Sequence, residues 1–238
     1  QMDAGKLFGF LNRVYQLSVP VIMEKDGVVD SYFNGGLSAI YTKVGKNALD
    51  SAISICQKLN EEKKAGRMPE FADIELAFAI SIGSQMVGIV GHDRRLSEVT
   101  LSEQISMVDY LRKVAGKYKA RILVTGTAVG RIPNFDSRYH ARILGMIHVS
   151  ATDSLEKIYD VYDGDDEALR EIKEYTKQSF EDGVKHFMAK RFCEARRCFV
   201  EVLKVSQGDY AAREYLYLCN KYYMKEDTSE INVYIEDF

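Results

Sequence analysis

The sequence predicts an α+β protein: a mainly antiparallel sheet with helices, followed by a small helical hairpin. Three observations carry that prediction. Short runs of branched apolar residues alternate with amphipathic helical stretches up to about residue 162. The turn signal Asn34-Gly35-Gly36 separates two short, strand-like runs. Beyond Asp163-Gly164-Asp165-Asp166, almost every segment has helical periodicity. The 238 residues suffice for one good-sized domain and a smaller one, here expected at 1–164 and 165–238.

Leu7 to Met23 places Leu7, Phe10, Leu11, Val14, Leu17 and Val21 at helical spacing, with Pro20 breaking or bending the end. The Asn34-Gly35 hairpin follows. Asn47 to Lys64 sets Ala48, Ala52, Ile53, Cys56 and Leu59 in one apolar stripe, an amphipathic helix. Ile74 to Ile82 reads as a central strand, turned at Gly83-Ser84 into a second strand from Gln85 to Val90. Gly91 to Arg95 reads as a polar excursion. Ser102 to Tyr118 is a helix with Ile105, Val108, Leu111, Val114 and Ala115 inward. Arg121 to Val124 is a short strand and Thr125 to Thr127 a helical turn. Arg138 to Val149 and Leu155 to Val161 are two further strands.

The tail reads as helices over Glu167–Met188, Phe192–Ser206 and Tyr210–Tyr223. Gly183, Ala195 and Phe199 stand like the packing positions of a tetratricopeptide hairpin, and Asp209 near the start of a next unit. The expectation is one hairpin plus the start of another helix. Asn232 to Phe238 is left as either a strand or a surface segment.

A net charge of −3 from 32 basic and 35 acidic side chains gives no reason to expect nucleic acid. Cys56, Cys193, Cys198 and Cys219 match no common zinc spacing, which points to reduced thiols and a cytoplasmic setting, including the cytoplasmic part of a membrane protein. No run has the length of a membrane span and no signal peptide opens the chain, so no membrane contact is expected of this segment. Gln1 in place of methionine suggests an excised piece, whose parent is free to carry an anchor elsewhere.

Catalytic signals are sparse. Ser102, Thr125 and Thr127 are candidate hydroxyls without a histidine–carboxylate pair at a recognisable spacing. Asp26 and Asp30 read as solvated hairpin flanks. His92-Asp93-Arg94-Arg95 is the most reactive-looking cluster, of a kind common in exposed loops. Gly83, Gly88 and Gly91 do not precede an apolar helix and make no dinucleotide loop.

The order of elements over residues 7 to about 162 resembles the catalytic domain of class III adenylate and guanylate cyclases, starting after its first strand. The resemblance is distributed over Phe10-Leu11-Asn12, Asp26 to Phe33, Ile80 to Gly83, Val87 to Gly91, Leu111 to Ile132 and Ile158 to Val161. It implies a ferredoxin-like cyclase fold. The tail from about Thr176 resembles the one behind this domain in some large bacterial membrane-bound cyclases.

By that resemblance, the family's second metal-binding aspartate, at the hairpin tip, corresponds to Gly35. The base-recognising lysine falls on Ser31 and the second base-selecting residue on Gln104. The ribose-orienting asparagine falls on Met107 and the transition-state arginine on Leu111. Glycine offers a hard divalent cation no side-chain oxygen. Met107 and Leu111 are four apart on one helix, so two polar positions have become apolar together. A shift of one or two residues brings in Glu103 or Asp109, but none sets an asparagine four before an arginine, because Arg112 has Val108 there. Losing one transition-state cation costs on the order of several kcal/mol.

The expectation is therefore a degenerate cyclase domain without turnover, acting as a dimerising or regulatory module, as a homodimer or a heterodimer with another cyclase domain. No cofactor is expected, although active members use Mg or Mn. Two other readings stand beside it. One is an active adenylate or guanylate cyclase completed by a partner chain; the other is a small-molecule sensor or peptide-binding helical scaffold.

Overall fold

A computed structural model describes residues 4–33, 35–42, 46–68, 74, 76–92, 95–149, 153–225 and 231–235. The chain opens with helix α1 (Ala4–Glu24), which continues past Pro20 rather than ending at it. Strands β1 (Gly27–Phe33) and β2 (Gly36–Tyr41) form the hairpin announced by Asn34-Gly35, although Asn34 itself lies outside the described residues. Gly35 has φ of +86°, the left-handed conformation that favours glycine. Helix α2 (Lys46–Lys64) buries Leu49, Ala52, Ile55, Cys56 and Leu59 along one stripe. Glu62 on that helix ties down α1 through Arg13 at 2.5 Å, and hydrogen bonds from Arg67 and Arg13 hold its carboxyl down at about 2.

The main sheet has four strands in the order β3 (Phe78–Ile80), β6 (Ile122–Thr125), β8 (Ser154–Val161) and β7 (Ala141–Val149). This corrects the first part of the expected fold class. The sheet is mixed: β3 runs parallel to β6, whereas β6–β8 and β7–β8 are antiparallel. The physical reason lies in what separates β3 from β6. Helix α3 (Glu103–Tyr118) intervenes and packs on β3 and β6, and a helical crossover of that kind returns the chain to a parallel strand.

The second strand expected after Gly83-Ser84 does not turn back on β3. It is β4 (Met86–His92), which pairs with β5 (Arg95–Leu101) in a separate antiparallel ladder. Strand β5 was not legible in the sequence, where that stretch reads as a polar excursion and loop. Of the cluster at its turn, Asp93 and Arg94 lie outside the described residues, while His92 and Arg95 pair across the ladder.

The second correction concerns the tail. It is a multi-helix region, not a small hairpin: α6 (Glu167–Met188), α7 (Phe192–Val205) and α8 (Tyr210–Tyr222) have 22, 14 and 13 residues. Gly183 sits beneath the Phe199 ring, where a Cβ would lie 2.8 Å from the ring carbons. Segment 231–235 is buried at Ile231, Val233 and Ile235 and runs beside β7, with the Ile235 N–H donating to the Met146 carbonyl at 2.8 Å.

Strand alternation on β6 divides the core. Ile122 and Val124 face α2 and the short helices α4 (Gly126–Val129) and α5 (Phe135–Arg138). Leu123 faces the other way, into a cluster that holds Leu111 and Ala115 of α3 together with Phe180, Phe199 and Tyr215 of the tail. The tail helices and the sheet thus share one apolar core.

Candidate functional site

The positions singled out by sequence lie on the β1–β2 hairpin and the first turns of α3. A bulge between Val29 and Ser31 shifts the β1–β2 register and withdraws Asp30 from it. The Asp30 carboxylate accepts from Ser38 Oγ at 2.8 Å, from Ser31 Oγ at 3.1 Å and from Thr100 Oγ1 of β5. The Thr100 hydroxyl is the main reason that its carboxyl is held below the usual range. Asp30 is thus more than a solvated flank, because it couples the two separate hairpins. Ser31, expected from the resemblance at a base-site position, is spent on this network, its hydroxyl also 2.8 Å from Ser38 Oγ.

Ser102 opens α3 as an N-cap, accepting from the Gln104 N–H at 3.1 Å and donating to the Ser84 carbonyl at 2.9 Å. The Gln104 side chain folds over Gly83, where a Cβ would meet it at 2.5 Å, and its Oε1 accepts from Ser81. Three residues on, Met107 packs half-buried against the core, and Leu111 is 0 % exposed inside it. The structure therefore brings Gln104, Met107 and Leu111 onto one helix near β3, but turns Leu111 into the protein.

The remaining hydroxyls have structural partners. Thr125 caps α4 through the Ala128 N–H at 3.2 Å, and Thr127 donates to Glu156 from its hydroxyl at 3.0 Å. All four cysteines are free thiols, and burial pushes Cys219 up to about 12. Among the described residues no three His, Cys, Asp or Glu side chains converge as a metal site would require. An open cleft of roughly 730 Å³ lies between α1 and β1, lined by Asn12, Tyr15, Gln16, Val19, Pro20 and Tyr32. None of the mapped positions lines it.

Among the described residues, the β4–β5 ladder gathers the largest group of exposed apolar side chains. Every described side chain of β4 is solvent-facing, with Met86 at 70 % and Ile89 at 74 % exposure, and Leu96 and Leu101 of β5 are exposed as well. An isolated two-stranded ladder is marginal in water, and an apolar one marks a contact surface. Sequence patterning found β4 but not its partner β5, which reads as part of a loop.

No protein-family model matches the chain. Its fold is that of class III adenylyl and guanylyl cyclase domains. A bacterial light-regulated adenylyl cyclase superimposes with a TM-score of 0.58 at 10% identity, over 74% of this chain and 52% of that one. The adenylyl cyclase CyaB from P. aeruginosa gives 0.52 at 17% identity, over 68% of this chain and 84% of that one. The guanylyl cyclase Cya2 gives 0.53 at 16% identity, over 67% and 82%. In sequence, the chain is 22% identical over 224 residues to the terminal-differentiation-specific adenylate cyclase of Dictyostelium discoideum. That alignment takes in 92% of this chain and only 10% of the relative's length. No helix among the described residues is long and apolar enough to cross a membrane.

Proposed function

We propose that this chain is a cyclase-fold module that makes no cyclic nucleotide and serves as a dimerising or regulatory unit within a larger signalling protein. One observation carries the reading. Leu111, the position corresponding to the transition-state arginine, is an apolar side chain sealed in the core, with Met107 packed beside it. Phosphoryl chemistry needs cationic groups aimed at the developing charge, and neither side chain supplies one. Divalent metals do not fit the hairpin by the chemistry of its donors. Gly35 has no carboxylate, and Asp30 already accepts from three hydroxyls.

The exposed β4–β5 ladder, held to the first hairpin by Asp30 and Thr100, is the surface such a module would offer to a second cyclase-fold chain. The pairing is either with itself or with a different cyclase domain.

Calorimetry with ATP and GTP, each with magnesium and with manganese, tests the reading on protein whose association state is fixed by light scattering. The expected result is no heat of nucleotide binding from an associated species. Metal-dependent micromolar binding, followed by cyclic nucleotide in a turnover assay, would overturn it.

The Dictyostelium relative favours a second reading, in which the whole protein is an adenylate cyclase and a partner chain completes the site. Mixing this chain with an active cyclase domain separates the two. Raised turnover from the mixture supports completion, and unchanged turnover despite association supports a scaffold.

A further inference from the structure

The C-terminal region meets the sheet on five consecutive residues of β7. Arg142 donates from Nη1 to Asp209, the N-cap of α8, at 2.6 Å. The Ile143 N–H donates to the Glu181 carboxylate of α6 at 2.8 Å. The Leu144 carbonyl accepts from the Tyr215 hydroxyl of α8 at 2.8 Å. Gly145 lies so close to the tail that a Cβ would fall 2.4 Å from the Tyr215 hydroxyl and 2.9 Å from Ile235 Cδ1. The Met146 carbonyl accepts from the Ile235 N–H.

The strand is shaped for these contacts. Its pairing with β8 skips from Ile143 to Gly145, so Leu144 is the extra residue of a bulge. Bulges withdraw backbone groups from the ladder and re-aim them. Here tail side chains take the backbone groups beside the bulge, as buried polar groups require.

Beneath the seat lies a cluster of acidic and basic side chains drawn from both regions. Arg142 also reaches Asp160 of β8 at 3.1 Å, and Lys173 of α6 reaches Asp160 at 3.1 Å and Asp165 at 2.7 Å. Those side chains are at most 7 % exposed. The Arg142 guanidinium lies 4.0 Å above the Phe180 ring of α6.

We propose that residues 142–146 of β7 are a seat that locks the C-terminal helices to the sheet as one rigid, co-folding unit, carrying any displacement of those helices directly into the β7–β8 hairpin. An independent domain would meet its neighbour through a more polar, separable surface. Removing the tail from this seat would take Asp209 from Arg142 and Lys173 from Asp160, leaving that buried pair only each other, and uncover a bulge whose backbone groups the tail satisfies. The consequence is mechanical. The tail is a built-in lever on the cyclase-fold sheet, whatever that sheet does.

Native-state hydrogen exchange on the full 238-residue chain in rising urea tests this. Amides of Phe180, Phe199 and Tyr215 in the tail and of Ile158 and Val161 in β8 should lose protection together, along one line. Tail amides that exchange through a partial opening, while Ile158 and Val161 stay protected, would overturn the proposal. Tyr215→Phe is a mild second probe, because it removes one hydroxyl and leaves the ring. It should lower protection in α8 and in β8 alike, by about tenfold. A loss confined to α8, or none at all, would also overturn it.

Discussion

Arg142 and Asp209, 67 residues apart, meet at 2.6 Å with both side chains almost wholly removed from water. The contact decides how the two halves of the chain are joined. Burial by itself would discharge either group. Instead, the mutual attraction of Arg142 with Asp209 and Asp160 raises the guanidinium's pKa despite burial. Asp209 answers in kind: burial pushes it up, but Arg142 and the Ala212 N–H outweigh that and hold it low.

Asp209→Asn should therefore destabilise the whole chain by about 1–3 kcal/mol, because a buried cation loses one of two counter-charges and keeps only Asp160. Urea unfolding followed by circular dichroism checks this. A change below about 1 kcal/mol would mean that the pair is solvated in solution.

The same pair sets an acid limit. Because the folded-state pKa of Asp209 lies below its unfolded value, its contribution is fully present above the ordinary aspartate pKa near about 3.9. It is lost as the pH falls through the folded value. Asp165, raised by burial, works in the opposite direction as it protonates. Urea midpoints measured from neutral pH downward should stay level until about pH 4 and then drop, and Asp209→Asn should flatten that drop.

Gly145→Ala should cost about 1–3 kcal/mol by overpacking, because its Cβ would collide with the Tyr215 hydroxyl and Ile235. Gly88→Ala, with nothing within 4 Å of its Cβ, is the matched control in an exposed strand. A similar shift in melting temperature for both variants would count against the seat on β7.

Leu111→Arg, which by the proposed correspondence supplies the family's cationic residue type, should not confer cyclase turnover. Its side chain would enter a core that excludes water, and an unpaired charge there costs several kcal/mol by order of magnitude. Differential scanning calorimetry should show a large fall in melting temperature. A well-folded variant that makes cyclic nucleotide would show that the helix can turn this position toward a ligand.

Ile89→Lys on β4 should leave stability within about 0.5 kcal/mol, since the side chain is already in water. Sedimentation velocity should nonetheless show weakened association. An unchanged association constant would remove the β4–β5 ladder from the contact.

Much of this architecture is written in local pattern. The stripe Ala48, Ala52, Ile53, Cys56 and Leu59 reads as α2, although the buried face takes Leu49 and Ile55 in place of Ala48 and Ile53; Asn34-Gly35-Gly36 specifies the first hairpin, and tail periodicity specifies three helices close to their observed bounds. These features arise between residues close in sequence, where period and turn chemistry dominate. The expected correspondence of Ser31, Gly35, Gln104, Met107 and Leu111 to cyclase site positions rests on the family resemblance and not on local pattern.

Three things were decided only in three dimensions. The parallel pairing of β3 with β6 depends on where the α3 crossover returns the chain, and no residue of β3 encodes a direction. The pairing of β4 with β5 is not written in either strand: β4 reads as a strand but has both faces in water, and nothing in the sequence marks Arg95–Leu101 as its partner. Arg142, Asp160, Lys173 and Asp209 look like ordinary surface charges in a sequence with 28% charged residues. What makes them a buried, mutually neutralising cluster is that β7, β8, α6 and α8 converge there. Whether a charge ends up solvated or paired depends on which distant segments exclude the water around it.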